Sequence, residues 1–548
     1  MQATTRGLGA RFFLVLSIMG LLLPSGAAAA SPDVRGALDG TQLGLYEGKD
    51  FRLVDGRCAD CPTIPQALWY FRDDMIAIPR QTAAALTPRS KAQDDVREWA
   101  LKHPSGERSR PPLVWVGSPL VAEGMRLEEG GKTLLAGDGG RMPFSIVPKI
   151  STNLSYYDVS SVQHFTNRSM RLRGRMEKDG FVARTIWPED YALDFNKLAY
   201  KPLSADETLS TLVRDESGGA RLPLAARVIW QRDPKAAREW AGKPVLAIML
   251  NGAQGDDDEA HGGHFAIVTG IFGQRGEWGE WLVNNFYALD SESEKGIIAS
   301  ILPMDAYMAD LNSGQSWYRP SYMLVAVLKQ DRVPALYQEA IGRVYNHFYR
   351  HAFSYRHASA NCAGISMQTL RSLGWKIPEE GPTSRAKALV ALPYLTVKDM
   401  SLESGRKAYD YLSAEQTDLY PFVAFDAAGR DLLLHATTAR AHSTPYERAL
   451  SEDLEALIYV RIPQFPSSRA FGEAPVASID EYMKRAPADK SQWKIVPVGA
   501  RPFPEAMKDP TSPAEGPPPS LYAVYGYGGL LGLCAIGAWR RWGRRKSR

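Results

Sequence analysis

The sequence predicts an α+β protein. It has a β-rich N-terminal region, a central region in which an antiparallel sheet precedes a cysteine-bearing helix, and a single C-terminal transmembrane helix. Three observations lead there. Apolar runs of strand length recur between turn signals up to residue 328. A helical stripe follows, with Tyr337, Ile341, Val344 and Phe348 spaced 4, 3 and 4 apart. Finally, Leu521 to Trp539 runs 19 residues without a charge, and Arg540, Arg541, Arg544, Arg545, Lys546 and Arg548 come directly after it.

Both ends of the 548-residue chain read as addresses. Residues 1–30 have the layout of a signal peptide: Arg6 and Arg11, apolar Phe12 to Leu23, then Pro24, Ser25, Gly26 and four alanines, with cleavage expected before Ser31. An uncleaved anchor helix is the alternative. The apolar run 521–539 is close to the ~20 residues that cross a bilayer. The basic tail 540–548 marks its cytoplasmic side, so the body is expected outside the cytoplasm, held to the inner membrane by one span. A sorting tail that is later removed has the same pattern. The formal charge of +4 is concentrated in these ends, and the body carries a small acidic excess. No nucleic-acid partner is expected of such a body. Hydrophobic residues at 45% and charged residues at 23% exclude a disordered, collagen-like or coiled-coil chain.

Between the ends, residues 31–200 read as a β-rich domain, with extended runs at Met75–Pro79, Leu113–Gly117, Phe144–Pro148 and Phe181–Ile186. Residues 201–395 form the central domain, with strands at Val245–Leu250, His264–Phe272, Glu280–Phe286 and Tyr322–Leu328. Gly273 to Gly279 joins the middle two as a hairpin. Pro334 lies near the start of the helix that carries the stripe. A second helix, capped by Ser359 or Asn361, ends at Gly374. Residues 396–508 are an α/β extension, with strands at Asp431–Leu434 and Ala456–Ile462 and a helix opened by the capping box Ser478-Ile-Asp-Glu481. Residues 509–520, with five prolines, are a stiff linker.

The cysteines carry most of the chemical information. Cys534 lies inside the apolar run. Cys58 and Cys61, in an exported Cys-Ala-Asp-Cys, are expected to form a disulfide, with a redox pair or a free or metal-bound pair as alternatives. Cys362 is left as a lone thiol. A cysteine hydrolase needs a thiolate, a base, a group that orients the base, and oxyanion donors. Cys362 opens its helix, where the dipole favours a thiolate and its own N–H points at the oxyanion. His264 is the candidate base, placed after Gly262-Gly263, whose small residues admit a substrate backbone. A hairpin centred near residue 275 sets 285 and 286 opposite His264. Asn285, with Asn284 as substitute, then accepts from the imidazole and fixes its tautomer.

Tyr355-Arg-His-Ala-Ser-Ala-Asn-Cys-Ala-Gly364 at a helix start, preceded by Gly263-His-Phe-Ala-Ile-Val-Thr-Gly270 on a strand, resembles the permuted papain-like cysteine hydrolases. That superfamily includes cell-wall endopeptidases and the lecithin–retinol acyltransferase group. The resemblance covers the central region only, and the order of His strand before Cys helix is that of the permuted members. It implies a papain-like central domain with Cys362 as nucleophile, His264 as base, Asn285 or Asn284 as the polar third residue, and Tyr355 near the oxyanion. No cofactor is implied. The expected substrate is an amide or ester of the envelope: peptide, peptidoglycan or lipid.

Two other functions fit the residues. The fold serves equally as a catalytically inactive envelope scaffold or binding protein. The run Asp256-Asp-Asp-Glu-Ala-His-Gly-Gly-His264 also has metal-ligand character, giving a metal-dependent hydrolase built on His261 and His264. His261 is the rival base. His347 and His351, i and i+4 on a helix without an acid beside them, read as a polar face. Asn153-Leu-Ser and Asn167-Arg-Ser match the glycosylation pattern.

Overall fold

The computed structural model describes residues 76–79, 92–103, 113–116, 120–151, 153–215, 223–254, 259–289, 297–349, 351, 353–438, 444–467, 472–486 and 489. The expected signal peptide, the Cys58/Cys61 pair, the Pro-rich linker, the run 521–539 and the basic tail lie outside them. Among the described residues, no helix is long and apolar enough to cross a membrane.

A mixed α+β architecture is built on one ten-stranded sheet. In chain order its strands are β1 (Ile76–Pro79), β2 (Leu113–Val116), then β8 (Ala199–Tyr200), β9 (Ala225–Gln231), β10 (Pro244–Asn251), β11 (His264–Ile271), β12 (Leu282–Asn284), β13 (Ile301–Pro303), β14 (Ser321–Leu328) and β15 (Leu454–Ile462). They lie side by side as β2-β1-β13-β12-β11-β10-β14-β15-β9-β8, every pair antiparallel except β8 with β9. β10 and β14 are buried along their whole length and β11 up to its last residue, which is why they read in sequence as near-continuous apolar runs. Strands from either side of residues 200 and 396 join this sheet: β1 meets β13 at Ala77 and Ile301, and β15 inserts between β14 and β9.

The five other strands among the described residues, β3 (Leu120–Leu127), β4 (Thr133–Leu135), β5 (Arg141–Ile146), β6 (Met170–Glu177) and β7 (Gly180–Pro188), close a small barrel in the order β3-β4-β5-β7-β6. Buried Arg173 of β6 ties it to the rest of the molecule through Asp305, 2.7 Å away. Closure removes the exposed edges that five short strands would otherwise present.

The helices used below are α1 (Ala92–Lys102), α2 (Arg332–Tyr349), α3 (Cys362–Leu373), α4 (Arg385–Lys398), α5 (Leu402–Ser413), α6 (Pro421–Thr437) and α7 (Ile479–Arg485). The predicted stripe of α2 is fully buried. Its Gln338 bonds Thr269 of β11 and Asn284 of β12, and α6 packs Gly429 over Ile248 and Leu324 of the same sheet face.

Several expectations are corrected. Asp431–Leu434 is helix, not strand: it lies in α6, which Pro421 opens at its first turn. A four-residue apolar run carries no period that separates the two. His347 does face an acid, since α1 brings Asp95 within 3.7 Å of it and within 2.8 Å of Arg343, a buried arrangement spanning 248 residues of sequence. His351 lies beyond the end of α2, at φ 60°. Asn153 is buried and donates to the Leu311 carbonyl, so it is no accessible glycan acceptor. The capping box at Ser478 is half formed: Ser478 Oγ accepts from Glu481 N–H, but the Glu481 carboxylate takes the N–H of Ala477 instead.

Candidate active site

Cys362, His264 and Tyr355 line one open cleft of about 1030 Å³. Its walls come from the start of β11, the loop before α3, and the helices α5 and α7.

The first wall places the thiol. Asn361, rather than Ser359, is the cap of α3: its Oδ1 accepts from Gly364 N–H at 2.9 Å. Its amide donates to the carbonyls of His357 and Leu419, so the cap is tied down on both sides. Cys362 is therefore the first residue of a 12-residue helix that Gly374 ends in a left-handed conformation at φ 104°. The Cys362 N–H donates to the Tyr355 hydroxyl at 3.4 Å, and the Tyr355 ring lies 5.4 Å from that of Tyr287.

The second wall places the imidazole. His264 Nε2 hydrogen-bonds Asn285 Oδ1. The Asn285 amide nitrogen donates to the Ile298 carbonyl, its N–H to Ser300 O at 3.2 Å, and its carbonyl accepts from Tyr345 Oη at 2.8 Å. Because the amide nitrogen is engaged by an acceptor, the oxygen is the atom that faces His264. Nε2 must then carry the proton, and Nδ1 carries the lone pair.

Asn284 is not a substitute for Asn285. The ladder pairs Ile267 with Asn284, and continued to the strand start it sets residue 287 opposite His264, one position beyond the expected register. Side chains alternate along a strand, so Asn284 shares the face of Ile267 while His264 and Asn285 share the other. Asn284 accordingly bonds the Ile267 carbonyl at 3.1 Å and Gln338 at 2.9 Å. Gly262 and Gly263 both line the cleft, and Gly263 has a structural use besides. At φ 72° its absent side chain makes room for the chain itself, since a Cβ would meet Pro475 at 2.6 Å and the Asn251 carbonyl at 2.7 Å.

The electrostatics overturn the expectation of a resting thiolate. Burial, then the nearby Arg319 guanidinium, pull His264 down to about 3 against the opposing bond from Asn285. Burial pushes the Cys362 thiol up, and the Phe265 N–H, the Tyr355 hydroxyl, the Ala363 N–H and Arg319 offset only part of that. Both groups are neutral at pH 7. Arg319, which sequence reasoning missed, holds its place through Gln315 at 2.8 Å and the Gly252 carbonyl at 3.2 Å. Its one sequence signal is a cation standing just before the largely apolar β14.

His261 is not among the residues lining the cleft. It packs edge-on against Tyr482 of α7, and its carbonyl accepts from Val476 N–H. Among the described residues no cluster of His, Cys, Asp and Glu could hold a metal ion, and Asp256 to Asp258 lie outside them. His264 in any case spends Nε2 on Asn285.

Comparison with family models, with curated proteins and with solved structures finds no match to this chain.

Proposed function

We propose that the protein is an exported, membrane-anchored thiol hydrolase or acyltransferase with a papain-like central domain, acting on an amide or ester of the cell envelope. The observation that carries the reading is the locked Asn285 amide, which leaves His264 Nδ1 as a free base in the cleft that holds Cys362. A base held in one tautomer by a third group, in the same cleft as the nucleophile, is the arrangement that nucleophilic catalysis requires.

In the reaction, Cys362 Sγ attacks the acyl carbon as its proton passes to His264 Nδ1. The carbonyl oxygen gains the negative charge and takes the place of the Tyr355 hydroxyl on the Cys362 N–H, with that hydroxyl turning to donate as well. Collapse expels the amine or alcohol, which leaves with the proton from His264. Water, or the amine or hydroxyl of an acceptor, then resolves the thioester by the same route in reverse. The imidazolium exists only during turnover, where the developing oxyanion and substrate dipoles accompany it.

A scaffold without chemistry is the second reading, favoured by the neutral resting states of Cys362 and His264. A p-nitrophenyl acyl ester separates the two. The hydrolase reading expects a thioester adduct on Cys362 by mass spectrometry, lost in Cys362→Ala and formed at least a hundredfold more slowly in His264→Ala. No adduct, or equal rates with and without His264, leaves the scaffold.

A further inference from the structure

The helical hairpin formed by α4 and α5 leaves the body through a narrow neck. Ser384 N–H bonds the Leu412 carbonyl at 3.0 Å, Gln416 N–H bonds the Gly381 carbonyl at 3.1 Å, and Pro382 and Glu415 form a bridge. Beyond the neck the two helices pack mainly on each other, and Ala388 is the buried residue of α4. They approach closely because Gly405 has no side chain: a Cβ there would lie 2.1 Å from Thr396 Oγ1 and 2.2 Å from the Leu392 carbonyl.

The outer side of α4 is apolar and bare. Ala386, Leu389, Val390, Pro393, Tyr394 and Val397 recur at helical spacing on one face, and Met400 and Leu402 continue it across the turn. Val390, Tyr394, Val397 and Met400 are 69%, 62%, 75% and 93% exposed. Nothing comparable occurs elsewhere among the described residues, where large exposed apolar side chains stand singly. An apolar stripe of this kind marks an interaction surface.

Charge and tether select the occupant. Arg385, Lys387, Lys398, Arg406 and Lys407 outnumber Asp399, Glu403 and Asp410, so the hairpin is net positive. An exposed apolar stripe that carries an aromatic residue and is flanked by Arg385, Lys387 and Lys398 suits an element that rests on a bilayer interface. In addition, residues 490–520 are all that separate the last described residue from the apolar run at Leu521. That is 31 residues of chain between the described body and the run expected to enter a bilayer, a short tether that keeps the body close to such a surface.

We propose that the α4–α5 hairpin docks on an anionic lipid bilayer, with the Ala386–Val397 stripe in the interface. Glu403, Arg406 and Lys407 of α5 also line the Cys362 cleft, so docking brings the mouth of that cleft to the membrane surface. Docking of the hairpin does not depend on the chemistry given to Cys362.

The full chain, reconstituted in phosphatidylcholine–phosphatidylglycerol vesicles containing a diazirine-bearing phospholipid, tests it. After irradiation, lipid adducts are expected on peptides covering residues 386–402 as well as on the run 521–539. Val390→Glu and Val397→Glu together should cut the first set at least tenfold without changing the melting temperature, because both residues are exposed. Adducts confined to 521–539 would overturn the proposal. So would cross-links from α4 to a second copy, or to 521–539, made by an added amine-reactive cross-linker equally in detergent and in vesicles, with no lipid adduct on 386–402.

Discussion

Iodoacetamide alkylation of Cys362, followed from pH 5 to pH 10 in wild type and in His264→Ala, reads the charge state of the resting pair. An ordinary thiol ionises near 9.0, whereas His264 titrates at about 3. Moving the proton from such a thiol to this imidazole costs roughly 8 kcal/mol at 1.36 kcal/mol per pH unit, and burial of Cys362 adds to that. The α3 dipole, at most ~2 kcal/mol in a partly buried geometry, does not close the gap. Attraction between the two charges, about 4 kcal/mol at 4 Å and an effective dielectric of 20, recovers part of this cost, and the neutral pair remains the main form of the empty site. Alkylation should therefore rise tenfold per pH unit from 6 to 8 with no plateau, and His264→Ala should change the rate at pH 6 by less than about threefold. Acylation by a bound ester needs the base, so the same substitution should lower it by about 10²–10⁴. A plateau below pH 7 in wild type, abolished in His264→Ala, would show a resting ion pair and refute this electrostatic reasoning.

The two adjacent asparagines should separate catalysis from stability. Asn285→Ala releases the imidazole from its fixed tautomer, and acylation per folded molecule is expected to fall by about 10- to 100-fold. Asn284→Ala strands Gln338 and the Ile267 carbonyl, costing about 1–3 kcal/mol and lowering the melting temperature, while acylation per folded molecule is unchanged. Equal effects of both on acylation would reject the face assignment. Stability should also depend on acid. His264 is held at about 3, below its ordinary 6.5, so between these values the unfolded chain binds a proton that the folded chain refuses. Its contribution is complete above about pH 6.5, declines as the pH falls toward 3, and totals on the order of 5 kcal/mol. Denaturant midpoints at pH 7 and pH 4 should differ less in His264→Gln than in wild type, and an unchanged difference would contradict the assignment.

What could be read from the sequence was what is local. A cap at Ser359 or Asn361, the Gly374 stop and the apolar runs of β10, β11 and β14 each lie within a few residues, and they place Cys362 and His264 on the right elements. The hairpin was readable too, but only to within one residue, since a seven-residue loop admits neighbouring registers. In a sheet one residue is a whole face, which is why Asn284 and Asn285 looked interchangeable and are not. Contacts between distant segments left no such trace. Asp95 reaches Arg343 across 248 residues, and Ala77 reaches Ile301 to bring β1 and β2 onto the edge of the sheet. The charge state of the site belongs with this second group. A thiol at a helix start reads as a thiolate when only the dipole is counted, because the dipole is the one field visible along the chain. Burial, together with an arginine from the approach to β14, keeps His264 neutral, and both are products of the fold. A buried neutral pair suits general-base catalysis within a bound complex, where the proton moves only when an acyl group is there to receive the sulfur.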